Sequence, residues 1–209
     1  MRSKVGAIGF WSGLTAAAAA IAYDVVQILQ LIGALRFPMD EILIYGTALC
    51  IVVPFVTEML AFHYLSDSEK QFWTHGALIL AALYAVFVTA NYVVQLATVI
   101  PAKLGGTVGS IALLEQTPHS LFWDFDAIGY IAMGLATLVA IPALGRTGLE
   151  GRVRLAFLAN AVVTPMIATV YFFPNYSYGL LLLGFPWAIT APLSMLLLAL
   201  LLRRRASQA

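Results

Sequence analysis

Charge is what this chain has least of. Charged residues make up 10% of its 209 positions, against about 25% in a soluble domain. That deficit, with long uninterrupted apolar runs, excludes a soluble globular fold and leaves an all-α, polytopic membrane bundle. Cysteine occurs once, at Cys50, which excludes an intrachain disulfide framework and a cysteine-based metal site. Histidine occurs three times, never as a pair at metal-ligand spacing within one apolar segment. Zinc-protease and histidine-rich hydroxylase chemistry therefore has no ligand set. The chain also lacks a phosphate-binding loop, a Gly-x-Ser-x-Gly elbow, a dinucleotide fingerprint and an intramembrane lysine for a Schiff base. Its basic residues are too few and too scattered for a nucleic-acid partner. Neither a cofactor nor a metal is expected.

What the chain has is apolar length. Six spans are expected, roughly 6–35, 41–65, 71–99, 118–144, 153–173 and 178–202, each beyond the ~20 residues that cross a hydrocarbon layer. They form one six-helix domain over residues 1–209, with no room for a soluble module. The start of the chain imitates a signal peptide, with Arg2 and Lys4 before an apolar run and a small-residue stretch at Ala16–Ala20. The apolar run continues to Leu35, so this segment is expected to be retained.

Basic residues set the expected orientation. Arg2, Lys4, Lys70, Arg146, Arg152, Arg154, Arg203, Arg204 and Arg205 fall at one set of span ends, and only Arg36 and Lys103 at the other. The richer side is the cytoplasmic one. Both termini are thus expected in the cytoplasm, in a prokaryotic cytoplasmic membrane. Three spans per half, entering from opposite sides, permit an inverted repeat, although the halves share no visible sequence similarity.

The polar residues inside the spans carry the functional reading. Asp24, Gln27 and Gln30 lie within about 120° of helical arc, with Tyr23 among them. Asn91 and Gln95 share a face with Tyr84. The stretch Phe122-Trp123-Asp124-Phe125-Asp126-Ala127-Ile128-Gly129-Tyr130 opens the fourth span, with Thr117-Pro118 as its expected cap and first turn. Asp126 and Tyr130 share a face, and Asp124 points about 160° away from it. Glu58, about 12 Å from the inner end of its span, is expected to meet Asn160 across the bundle. His63 and His75 sit near the inner surface, where amphipathic rings belong. Loop 100–117 is either an interfacial segment or a lid.

An acid at a helix centre costs about 3 kcal/mol on insertion scales, and no lysine or arginine lies in the interior of the spans. Asp24, Glu58 and Asp126 must then be protonated, amide-bonded, cation-binding or solvated by a cavity. The expectation is an aromatic-rimmed cavity between spans 1, 3 and 4, open to the non-cytoplasmic side. Its ligand-binding residues would be Asp24, Gln27, Asn91, Gln95, Trp123, Asp126 and Tyr130.

Three readings stay open. The first is binding or transport of a small amphiphilic or lipid-like molecule. The second is an intramembrane acid-catalysed enzyme, an isomerase or cyclase acting on an isoprenoid or sterol-like substrate, with Asp24 or Asp126 as the catalytic acid. The third is an accessory subunit whose polar faces meet other membrane proteins or a second copy of the chain.

Overall fold

The computed structural model describes residues 1–107, 109 and 111–207, and for Tyr178 the backbone alone. Positions 108 and 110 of the long loop lie outside the described residues. Within them the structure is helical and contains no strand. The helices are α1 (Arg2–Leu31), α2 (Met39–Leu65), α3 (Gln71–Val94), α4 (Ile100–Leu104), α5 (Leu121–Ala140), α6 (Gly148–Phe172), α7 (Tyr178–Leu181) and α8 (Trp187–Ser207). A π-helical turn, Gln95–Val99, joins α3 to α4 without a break in the rod. Six stretches are long and apolar enough to cross a membrane.

Several boundaries differ from the expected ones, four of them for a plain local reason. The first helix stops at Leu31 because Gly33 takes a left-handed conformation (φ 73°) and the chain wraps back, Ala34 N donating to Leu29 O at 2.9 Å. The third runs on to Leu104 through the π turn. The fourth starts at Leu121 with Ser120 as its cap, the Ser120 hydroxyl accepting from Trp123 N at 3.2 Å. Thr117-Pro118 lies outside it. The last is split. Pro186 has no N–H to offer Leu182 O, which accepts from Phe185 N at 3.1 Å instead, and the chain passes through a short tight turn before α8 begins.

The long helices close a ring: α1 packs on α2, α2 on α3, α3 on α5, α5 on α6, α6 on α8, and α8 back on α1. Small residues make the close approaches, as apolar helices packed by van der Waals contact require. A Cβ at Gly9 would fall 2.6 Å from Ala61 Cβ on α2 and 2.7 Å from Leu202 Cδ1 on α8. One at Gly129 would fall 2.6 Å from Val88 on α3, and Gly134 is packed directly under Thr164 of α6.

The ring has two unlike ends. At the basic end, Arg205 pairs with Glu150 (2.8 Å) and donates to Ser66 (3.4 Å), and Arg154 donates to the carbonyls of Ile141 and Leu144 that finish α5. His63 Nδ1 lies 3.0 Å from Thr74 Oγ1, and the rings of His63 and His75 are 5.3 Å apart. At the far end, Lys103 bridges Glu41 and Glu115, tying α4 to the start of α2 and to the long loop. Gln30 donates to Asp40 there, across the α1–α2 turn.

Candidate functional site

The polar residues of the far half divide into two adjoining groups. The deeper group is centred on Asp126, 2% exposed. Its carboxylate accepts from Asn91 Nδ2 (3.2 Å), from Gln116 Nε2 (3.1 Å) and from the Tyr171 hydroxyl. Asn91 Nδ2 also donates to Gln116 Oε1 at 3.1 Å. Gln95 holds the loop in place: its Nε2 donates to Leu114 O (2.7 Å) and its Oε1 accepts from Gln116 N (3.2 Å). Three elements thus converge on one carboxylate that has no cation beside it. Neutral donors take the place of a counter-ion, as a buried acid requires.

Beside this network lies a cavity of about 350 Å³. Its wall is formed by Tyr23, Asp24, Gln27, Ile28 and Leu31 of α1, Tyr130 of α5, Ile167, Val170 and Tyr171 of α6, and the segment 179–188. The expected position between spans 1, 3 and 4 is therefore corrected: the space lies between α1, α5, α6 and the α7–α8 junction. The reason is that the amides expected to face it are already taken. Asn91 and Gln95, 0% and 1% exposed, turn their amides to Asp126 and to the loop. The α6–α8 side has the broken helix, which leaves room.

Of the residues expected at the site, Asp24, Gln27 and Tyr130 line the cavity. Asp126, Asn91 and Gln95 stand behind its wall, and Tyr171 joins the two groups, lining the space while its hydroxyl donates to Asp126. Trp123 braces this junction from outside: its Nε1 donates to Tyr171 O at 3.0 Å, and its ring lies 4.6 Å from that of Tyr171. Gln30 is turned away to Asp40. Asn160 does not meet Glu58. It donates to Thr137 (3.3 Å) and accepts from Thr190 (3.1 Å), while both Glu58 oxygens lack a partner.

Two contributors were missed by sequence reasoning. Gln116 lies in loop 100–117, and nothing in the sequence singles it out. Trp187, in the sixth span, forms one wall of the cavity, and its buried indole N–H has no partner. The rings of Tyr23 and Tyr130 meet the Trp187 ring edge-on at 5.8 Å and 5.1 Å. The Tyr130 hydroxyl is 3.1 Å from that of Tyr92, and Gln27 Nε2 donates to the Tyr23 hydroxyl.

Among the described residues no three His, Cys, Asp or Glu side chains gather closely enough to hold an ion. Compared with protein-family models, curated proteins and solved structures, the chain finds no match.

Proposed function

We propose that the chain is an integral membrane protein with both termini in the cytoplasm, and that it binds or transports a small amphiphilic or lipid-like molecule through the cavity beside Asp126. Membrane insertion is supported by the six long apolar helices and by an exterior studded with residues such as Val53, Phe72, Val86, Leu155 and Val162, all more than half exposed. Orientation is supported by the bias of lysine and arginine toward the basic end.

The observation that carries the ligand reading is the grading of the cavity. Its mouth is apolar, with Ile28, Leu31, Leu182 and Phe185 each substantially exposed. The rest of its lining is aromatic and polar: buried Tyr23, Tyr130 and Trp187, with partly exposed Asp24, Gln27 and Tyr171. A molecule that leaves a tail at the mouth and seats a head against that lining matches the gradient. Among the polar groups that prompted the accessory-subunit reading, Asn91, Gln95 and Asp126 find their partners inside the chain.

The test is binding of a decyl-chain amphiphile to protein in lipid nanodiscs, followed by calorimetry against empty discs. Ala188→Trp, which fills the cavity from its wall, should abolish saturable binding. Unaltered binding in that variant, or none in the parent chain, refutes the reading.

One observation also favours acid catalysis: the Tyr171 hydroxyl stands between Asp126 and the cavity. An enzyme acting on an isoprenoid would deliver its proton by that route. Tyr171→Phe would then stop turnover while leaving binding intact, and turnover that survives the change excludes the route.

A further inference from the structure

We infer that the head group taken by this cavity is a cation, an amine or quaternary ammonium on an apolar tail. This rests on the cavity being the binding site, as proposed above, and adds the chemistry it selects.

Three observations converge. First, the cavity is lined by an acid and by no base. Asp24 is on its wall, and no Lys, Arg or His is among its lining residues. Of the two basic residues at this end, Lys103 is held by Glu41 and Glu115, and Arg36 projects into the surroundings. A second acid, Asp126, lies one side chain deeper, linked through Tyr171. An anionic head would face both carboxyls with nothing to offset them.

Second, the wall carries an aromatic cage. Tyr23 and Tyr130 each stand edge-on to Trp187, at 81° and 89°, and Tyr171 adds a further ring. Perpendicular rings present electron-rich faces in more than one direction, and such cages hold ammonium groups through the ring quadrupole, indole most strongly. Third, besides the unpartnered Trp187 N–H, the wall holds an acceptor that suits an ammonium donor. Gln27 directs its Nε2 to the Tyr23 hydroxyl, which leaves Oε1 as an acceptor on the cavity wall. A bare metal ion fits poorly, because hard cations want six or more oxygens and, besides three neutral tyrosine hydroxyls, this wall offers one carboxyl and one amide.

Size agrees with a head and part of a tail. About 350 Å³ is at the small end of ligand pockets, and the exposed apolar mouth would carry the rest of the chain.

The experiment compares three probes with one tail: decyltrimethylammonium, whose charge is independent of pH, decanol and decanoate. Each is titrated into the protein in zwitterionic nanodiscs, with empty discs as the blank. The expected result is affinity for the ammonium at least tenfold above the alcohol and the carboxylate. Asp24→Asn should bring the ammonium-to-alcohol ratio down toward one, and Asp24→Glu should keep it high, which separates a charge effect from loss of fold. Equal binding of decanol, still blocked by Ala188→Trp, overturns the cationic head and leaves the cavity reading standing. A preference that survives Asp24→Asn also overturns it. No saturable binding of any probe overturns both.

Discussion

Glu58 is fully buried between Gly13 of α1 and Ala199 of α8, and neither of its carboxyl oxygens has a partner. An unsatisfied buried polar group costs about 1–3 kcal/mol. Glu58→Met keeps the volume and removes both oxygens, so the melting temperature in detergent should rise; a fall would mean the carboxyl is serving a ligand. Gly13→Val acts in the opposite direction. Its Cβ would press on the Glu58 carboxyl and sit 2.7 Å from Ala199 Cβ, for an expected loss of about 1–3 kcal/mol in the same assay. At Gly46 an added Cβ meets nothing within 4 Å, so Gly46→Ala is the control and should not lower the melting temperature. At this scale the acids were legible in the sequence because a carboxyl in an apolar run is conspicuous. Their partners were not. Gln116 reaches Asp126 only because the loop folds back over α3 and α5, and nothing in its neighbours along the chain marks that return.

Between α3 and α4 the π turn contains one residue more than an α-helix would. The wider turn takes up that residue, and α4 beyond it carries Lys103, which reaches Glu41 and Glu115 together. Lys103→Met removes the ammonium that joins them. Both ion pairs should then be lost, and amide exchange across residues 111–116 should become faster while α5 and α6 stay protected. Unchanged exchange would show that Gln95 alone holds the loop. Helices were legible as runs of apolar residues long enough to cross a bilayer, but their interruptions were not. The halt at Pro186 is the clearest case. Proline inside α2, α6 and α8 leaves those helices continuous, so the residue by itself does not announce a break. The break depends on the carbonyl of Leu182 finding Phe185 N instead, and it is this interruption that makes space for the cavity.

The whole molecule is a ring with chemically opposite ends, which predicts a labelling pattern. In a Cys50→Ser background, single cysteines at Gly105 and Asn175 should react with an impermeant maleimide on intact cells. Cysteines at Ser68 and Thr147 should react only after permeabilisation. The reverse pattern would place the basic end outside. The order of packing around the ring has a further result. Helix α1 leaves the ribosome well before α8, yet these two form the closing seam, Gly9 lying against Leu202 and Gly13 against Ala199. While α6 is still being made, the groove on α1 and α2 that will receive α8 is empty, and Glu58 is uncovered. Nascent chains halted before Trp187 should therefore expose a cysteine placed at position 58 to water-soluble reagents, and chains that include α8 should conceal it. In biogenesis, α8 is the helix whose arrival seals a carboxylic acid away from water.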